Sequence, residues 1–305
     1  MLNIIVLGAA AGGGVPQWNC GCAQCAAARH NSAEARTQAS LALSVDGRNW
    51  FLVNASPDLR QQINQTPALY PRDGALRDSP IAGVILTNGE VDAIAGLLSL
   101  REKTQFSVYA HQRVLDILDA NPIFEVLDRN LVARLPLAVE IETELALPDG
   151  SGSGLTVTAF RVAGKSPLYL EGIAPKDVDG DTLGLSFTDR ASGESCHVLT
   201  ACARIDAALE ARLNGAKLVF FDGTVWHDDE LIRLGLGTKT GQRMGHMAMA
   251  DSTGTMAAFD RLDVKRKVFV HINNSNPVLL DTSPERQAAE ARGWVIPPDG
   301  MEFSQ

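Results

Sequence analysis

The run Leu86-Thr87-Asn88-Gly89-Glu90-Val91-Asp92-Ala93-Ile94-Ala95-Gly96-Leu97 decides how the chain is interpreted, because it joins a strand to a helix. The apolar run 82–87 predicts the strand, and the spacing of apolar residues over 91–103 predicts the helix. Asn88, Glu90 and Asp92 alternate at the junction, where two carboxylates can be directed into one pocket. Acidic residues at a helix start are also ordinary capping groups, and on the residues alone capping is the safer interpretation.

Two later predicted strands also end in polar residues. Asp222 ends the apolar run 218–221 and His271 follows the apolar run 268–270, with the asparagine-rich segment 273–276 directly after it. Polar residues at the ends of neighbouring strands are where sites tend to form. A single histidine is nevertheless more often a hydrogen-bonded core residue, and an asparagine-rich run is often a turn.

The order of elements predicts an α/β fold in which two β-sheets pack on each other with helices outside, an αββα sandwich. Strand candidates are 2–7, 39–45, 50–53, 82–87, 106–110, 155–162, 182–186, 197–199, 218–222 and 268–272. Helix candidates are 91–103, 112–118, 205–213, 252–261 and 284–292, the last with Ser283 as N-cap. Long turn-rich loops cover 67–80 and 164–180, and each is as compatible with a functional segment as with a surface insertion. No linker divides the chain, so we expect one domain over 1–305.

Composition excludes several classes of protein. The 305 residues carry 27 basic and 36 acidic groups, a net charge of −9, and 45% are hydrophobic. These values are typical of a soluble globular protein and argue against a surface for nucleic acid or anionic membrane. No run approaches the roughly 20 apolar residues of a membrane span, and no basic residue precedes the apolar N-terminus. We therefore expect a cytoplasmic protein with neither a membrane nor a nucleic-acid partner.

Three of the five cysteines lie close together. Cys20, Cys22 and Cys25 have the spacing C-x-C-x2-C, which allows three thiolates to converge on one ion. Thiolates with a fourth thiolate or imidazole form a closed tetrahedral zinc site, and the spacing fits iron–sulfur clusters less well. The residues alone leave the fourth ligand open among His30, His111, His197, His227, His246, His271, Cys196 and Cys202.

These motifs, in this order, resemble the metallo-β-lactamase superfamily. Its signature T-H-x-H-x-D-H corresponds to the segment 87–93, which keeps Thr87 and Asp92 but has Asn88, Glu90 and Ala93 in place of the histidines. His271 falls where the superfamily has its last metal-binding histidine. The resemblance implies the αββα fold. Because the histidines that would bind two zinc ions are replaced, a di-zinc hydrolase is not expected.

The chain is more similar still to the pyrroloquinoline quinone (PQQ) biosynthesis protein B family, over nearly its whole length. The matching stretches are GAAAGGGVPQWNCGCAQC at 8–25, NASPD at 54–58, GLLSLRE at 96–102, DGTVWHDDEL at 222–231, MGHM at 244–247, HINNSNP at 271–277, SPERQ at 283–287 and DGM at 299–301. Ala93 departs from many members, in which histidine is common.

The resemblance implies two metal sites. By similarity to a related cyclic phosphodiesterase, His246 is the fourth ligand of a structural zinc ion held by Cys20, Cys22 and Cys25. Glu90, Asp92 and His271, with Asn88 or Asp222 as a further member, are implied to bind a catalytic Fe(II) that uses O2 as co-substrate. Positions near this set suggest that Asn273, Asn274, Asn276 and Arg101 bind carboxylates of the substrate, that Asn88 and Asp222 also contact it, and that Trp226 walls the pocket.

The family's newer assignment implies hydroxylation of the tyrosine ring in a cross-linked Glu-Tyr precursor of PQQ. The alternative is a non-catalytic carrier for PQQ or its precursor, and a zinc hydrolase is a weaker third class. The small-molecule precursor and other proteins of PQQ biosynthesis are the implied partners, and a homodimer stays open.

Overall fold

Two seven-stranded sheets form the centre of the computed structural model, which describes residues 1–31, 35–72, 74–172 and 180–305. Strands are numbered in chain order. The first sheet has the strand order 14-1-2-3-4-5-6. Its members are β1 (Asn3–Gly8), β2 (Ser40–Ser44), β3 (Trp50–Val53), β4 (Ile81–Ile85), β5 (Phe106–Ala110), β6 (Val132–Pro136) and β14 (Met301–Ser304).

The second sheet has the strand order 13-12-11-10-9-8-7. Its members are β7 (Glu142–Ala146), β8 (Gly152–Arg161), β9 (Leu183–Asp189), β10 (Ser195–Leu199), β11 (Leu218–Asp222), β12 (Arg266–Val270) and β13 (Trp294–Val295). Each sheet has an antiparallel half and a parallel half, and the parallel halves are β3 to β6 and β10 to β13. In each parallel half the carboxyl ends of neighbouring strands share one edge of the sheet.

The helices lie outside the sheets. They are α1 (Ala23–His30), α2 (Leu59–Gln65), α3 (Val91–Ile94), α4 (Gln112–Ala120), α5 (Ala207–Leu213), α6 (Glu230–Arg233), α7 (Thr255–Phe259) and α8 (Pro284–Ala291). One apolar cluster fills the space between the sheets, a second packs α2, α3 and α4 on the first sheet, and a third packs α5, α7 and α8 on the second. The predicted αββα sandwich is confirmed.

The predicted helix 91–103 is shorter than the sequence suggested. The α-helix ends at Ile94, and 95–100 form 3-10 turns. An α-helix would pair the Gly96 N–H with the carbonyl of Asp92, whereas Gly96 N donates to Ala55 O at 2.8 Å. Ala55 N in turn donates to Ala93 O at 2.7 Å. These bonds to a neighbouring segment replace the helical ladder.

The two long loops are described only in part. Segment 67–80 contains 3-10 turns at Pro67–Leu69, and its residue 73 lies outside the described residues. Segment 164–180 contains 3-10 turns at Leu168–Leu170, and its residues 173–179 also lie outside them. In the described part of the chain, no helix is both long and apolar enough to cross a bilayer. A single domain over 1–305 stays a prediction.

We expect Gly96→Ala to destabilise the protein by about 1–3 kcal/mol, because close packing leaves no room for one more methyl group. A Cβ at this position would overlap the Ser56 carbonyl oxygen and lie 2.8 Å from the Ala55 carbonyl. Urea unfolding measures the loss. Gly21→Ala is the matched control, since a Cβ there meets nothing within 4 Å. Equal stability of both variants would contradict the close approach of 96 and 55.

Candidate functional site

Three strand ends bring polar side chains together at one edge of the sandwich. Asp92 lies in α3, shortly after β4, Asp222 is the last residue of β11, and His271 directly follows β12. His271 Nε2 lies 2.9 Å from Asp92 Oδ2. His271 has a φ of 56°, in the left-handed region that side chains other than glycine adopt at a cost. The structure thus brings Asp92 and His271 together, as the strand ends suggested.

Asp222 lies beneath this pair, fully buried. Its Oδ1 accepts from Thr224 N at 3.0 Å and from Thr224 Oγ1 at 2.7 Å. Its Oδ2 accepts from Cys202 N at 3.0 Å and lies 2.8 Å from His246 Nδ1. Both carboxylate oxygens are hydrogen-bonded within the described part of the chain, so Asp222 acts as a support and has no exposed side-chain surface to offer a substrate.

The Thr224 hydroxyl links the carboxylate to both imidazoles. It lies 2.8 Å from His271 Nδ1 and 3.1 Å from His246 Nδ1. A hydroxyl has one proton to donate, and the Asp222 carboxylate is a stronger acceptor than the nearby main-chain oxygen of His271. The network therefore assigns the Nδ1 proton to both histidines, which leaves Nε2 of each ring as the nitrogen free to bind an ion.

The contact between Asp92 and His271 needs a positive charge. With its proton on Nδ1, the neutral ring would turn the Nε2 lone pair toward a carboxylate oxygen. Although burial opposes it, the hydrogen bond and charge of Asp92 hold the pKa of His271 above its ordinary value. Burial raises the pKa of Asp92, but the hydrogen bond and charge of His271 outweigh burial and hold this pKa below its usual range. A second proton or a metal ion can supply that charge, so the pair fits a cation.

His246 lies in this group and not among the cysteine ligand atoms, where the family resemblance had placed it. Its ring stacks on that of His271 with centroids 5.0 Å apart, and its Nδ1 contacts Asp222. Ligand atoms of Asp222, His246 and His271 all lie within 4.8 Å of one another. The physical reason is the buried Asp222 carboxylate, which attracts the imidazole away from the cysteine turn.

Glu90 is not brought to the Asp92–His271 pair, contrary to the ligand set that the resemblance implied. Its carboxylate accepts from Lys165 Nζ at 2.8 Å and from Leu168 N at 3.1 Å. An ammonium and a main-chain N–H satisfy both of its oxygens. Glu90 therefore fastens segment 165–171 to the end of β4.

A cavity of about 930 Å³ opens above the Asp92–His271 pair. Of the predicted substrate-binding residues, Asn88 and Asn273 line it. Asn88 is largely buried, and its Oδ1 accepts from Glu90 N at 2.9 Å. The wall also contains side chains that the sequence did not single out, namely Lys165, Leu168, Tyr169, Glu171, Leu231, Leu236, Lys239 and Met244.

Three other predicted substrate contacts lie elsewhere. Arg101 is exposed, with Nη1 bonded to Leu98 O at 2.9 Å. Trp226 packs in the core outside the second sheet and lines a neighbouring cavity of about 540 Å³. Asn276 is fully buried, donates to Gly223 O at 3.0 Å and caps the turn that follows it. None of these three residues therefore lines the large cavity.

The three cysteines converge as the spacing predicted. Ligand atoms of Cys20, Cys22 and Cys25 lie within 4.8 Å of one another. Burial and then the adjacent thiols raise the pKa of Cys22 to about 11, so a cation is needed to hold three thiolates at neutral pH. Asn274 is beside them, with Nδ2 3.4 Å from Cys25 Sγ and its main-chain oxygen 3.4 Å from Cys22 Sγ. Asn274 thus belongs to the cysteine cluster and not to the large cavity.

Two signals in the sequence could have found more of the site. The turn-rich loop 164–180 supplies Lys165, Tyr169 and Glu171, and its composition already allowed a functional role. Thr224 follows Asp222 by two residues, and a threonine after a strand-end carboxylate is a plausible partner for it.

Cys196 and Cys202 are buried, and burial raises the pKa of both, so neither is a reactive thiolate.

The fold is shared with a known superfamily of proteins. A family model described as the beta-lactamase superfamily domain matches residues 49–272. Lower-identity structures share the fold, for example a diphosphatase from the PhnP family with a TM-score of 0.66 at 19% identity, covering 99% of this chain and 96% of that one.

Proteins of higher sequence identity show which family within this superfamily the chain belongs to. The chain is 63% identical to coenzyme PQQ synthesis protein B of Rhodopseudomonas palustris and 59% identical to that of Bradyrhizobium diazoefficiens, over at least 99% of each chain. The crystal structure of Zn²⁺-bound PqqB from Methylobacterium extorquens superimposes with a TM-score of 0.93 at 44% identity, covering 99% of this chain and 100% of that one. The chain belongs to the coenzyme PQQ synthesis protein B family.

We expect Thr224→Val to lower the free energy of unfolding by about 1–3 kcal/mol, because it removes the hydroxyl that satisfies His271 Nδ1. Thr224→Ser keeps the hydroxyl and is the matched control. Urea unfolding of metal-free protein measures both. A valine variant as stable as the parent, with the loss confined to serine, would show that the methyl group and not the hydroxyl carries the effect.

Proposed function

We propose that the chain acts in the synthesis of coenzyme PQQ as a hydroxylase of the tyrosine ring in a cross-linked Glu-Tyr precursor, dependent on Fe(II) and O2. The observation that carries the proposal is the Asp92–His271 pair with the His246 ring stacked on His271, all three lining one large cavity. The names of its relatives support the place in PQQ synthesis.

The donor set supports iron at this position. Two imidazoles and one carboxylate, with further positions open, are the ligands of non-haem Fe(II) oxygenases. His246 and His271 each have Nδ1 engaged by Asp222 or Thr224, an arrangement that orients metal-binding imidazoles. This set replaces the one with Glu90, which Lys165 and Leu168 hold.

The cysteine cluster supports zinc in a structural role. Three thiolates are soft ligands that favour zinc, and the Methylobacterium extorquens relative was crystallised with Zn²⁺. Asn274 is the polar side chain beside these sulfurs in the place where His246 was expected.

The chain's own residues bind and orient the precursor. Leu168, Leu231 and Leu236 give the cavity an apolar wall for an aromatic ring. Tyr169 donates from its hydroxyl to Gly89 O at 2.6 Å, and burial with the charge of Glu90 raises its pKa to about 12, so it stays neutral. Asn88 and Asn273 supply amide groups next to the metal ligands. Asp222 and Thr224 hold both imidazoles in one orientation.

The chemistry that Fe(II) supplies when bound is the activation of O2 toward an aromatic C–H bond. Each hydroxylation places one oxygen atom in the ring and releases the other as water, which consumes two protons and two electrons. An added reductant of the ascorbate class provides those electrons in the assay below.

Cytoplasmic location, a homodimer and contacts with other proteins of PQQ synthesis stay predictions.

We expect two metal ions per chain, each held by its own set of side chains. Cys22→Ser should remove zinc and leave the second ion, whereas His246→Gln should remove the second ion and leave zinc. The reason is that His246 lies on Asp222 and His271 and not among the cysteines. Elemental analysis after anaerobic reconstitution measures both ions. Loss of zinc from the His246 variant would contradict this division.

We expect reconstituted protein, given Fe(II), O2, ascorbate and the Glu-Tyr diamino acid, to add oxygen atoms from ¹⁸O2 to the tyrosine ring. Asp92→Asn should abolish the mass gain and lower iron content at least tenfold. Glu90→Gln is the matched control for iron, which it should retain, since Glu90 pairs with Lys165.

The absence of oxygen incorporation with Fe(II), Mn(II) and Zn(II) forms alike would refute the hydroxylase. Binding of the diamino acid without turnover would then favour a carrier. Loss of iron from Glu90→Gln would restore the ligand set that the family resemblance implied.

A further inference from the structure

Two lysines and one glutamate form a chain of charges at the rim of the large cavity. Lys239 Nζ donates to Glu171 Oε2, and Lys165 Nζ lies 3.5 Å from Glu171 Oε1. The two oxygens of one carboxylate thus face two ammonium groups that come from different loops. All three side chains line the cavity and are partly exposed.

Glu171 is ionised in this position. The hydrogen bond from Lys239, and then the charges of Lys165 and Lys239, hold its pKa below the usual range against a small effect of burial. The two lysines therefore form a site that already holds a carboxylate, and that carboxylate belongs to the protein itself.

Lys165 is held in place independently of Glu171. Its Nζ also donates to Glu90 Oε1 at 2.8 Å. Glu90 accepts in addition from Leu168 N, and Tyr169 bonds to Gly89 O. Segment 165–171 is thus fastened at the end of β4, so the ammonium of Lys165 stays at the cavity when Glu171 leaves. The Glu171 carboxylate, by contrast, has partners only on the two lysines among the described residues.

The rest of the wall is suited to a ring that carries acidic groups. Leu168, Leu231 and Leu236 give apolar area, and the metal-binding group lies at the base of the same cavity. Other charged groups of the wall are Glu90, Asp92, His246 and His271, whose partners have been given above. Among the described wall residues, Lys165 and Lys239 are consequently the cations that a bound anion can reach at the rim.

We propose that Lys165 and Lys239 are the carboxylate-recognition residues of the cavity, and that Glu171 occupies their site until an aromatic polycarboxylate displaces it. The identity of the natural ligand rests on the proposed function, because the Glu-Tyr precursor is an anionic aromatic compound of this class. Glu171 then acts as a competitor built into the chain, which weakens the binding of ligands with too few carboxylates to displace it.

Calorimetric titration of metal-loaded protein with benzene-1,3,5-tricarboxylate tests the proposal without turnover. Lys239→Met and Lys165→Met should each weaken binding about tenfold, since one ammonium contact is lost. Glu171→Gln should strengthen binding about fivefold, because the competing charge is gone. Binding to the unmodified chain should weaken as salt is raised.

Lys217→Met is the matched control, because it makes the same change at an ion pair with Glu194 outside the cavity. It should bind the tricarboxylate as the parent does, and benzene-1,3,5-trimethanol should bind far more weakly than the tricarboxylate to all variants. Unchanged affinity in both lysine variants, no gain in Glu171→Gln, or no binding at all would overturn the proposal. These titrations do not depend on hydroxylation, so loss of the hydroxylase alone leaves the anion site standing.

Discussion

The buried carboxylate of Asp222 is the constraint on which the site depends. A charge removed from water costs several kcal/mol unless it is paired and hydrogen-bonded. Asp222 meets this requirement with the N–H groups of Cys202 and Thr224, the Thr224 hydroxyl and His246 Nδ1. These partners come from the ends of β10 and β11 and from the segment near 246. The same contacts orient His271 through Thr224, so one satisfied charge determines the positions of both imidazoles.

Strands buried on both faces could be predicted closely from the sequence. The runs 106–110 and 218–222 begin and end where β5 and β11 do, because continuous apolar residues with β-branching identify such strands. β6 and β7 were missed, since both are partly exposed and carry charged residues that interrupt the pattern. The length of α3 was overestimated because the bond from Gly96 to Ala55 is a tertiary contact. Local periodicity contains no information about such a partner.

The site was predictable to the extent that it follows from strand ends. Asp92 and His271 meet because both follow parallel strands at one edge. Glu90 has the same local signal as Asp92, yet Lys165, 75 residues away, draws its side chain to the cavity rim. His246 lies in a loop without periodicity, and family resemblance pointed it toward the cysteines. In both cases the deciding partner is a charge contributed by a distant segment, which no local spacing encodes.

The loop after β12 connects the two donor groups of the molecule. His271 contacts Asp92 at its beginning, and three residues later Asn274 contacts the sulfurs of Cys22 and Cys25. Between them, Ile272 bonds to the main chain at residues 9 and 11, next to the glycine turn that leads to the cysteines. A closed thiolate site contributes folding free energy when it binds its ion. His271, which has a left-handed backbone, and Asn274, which contacts the cysteine sulfurs, thus lie on one short loop that is bonded at both ends. The Asp92–His271 pair and the cysteine cluster are therefore joined by the four residues 271–274, although each has its own donor side chains.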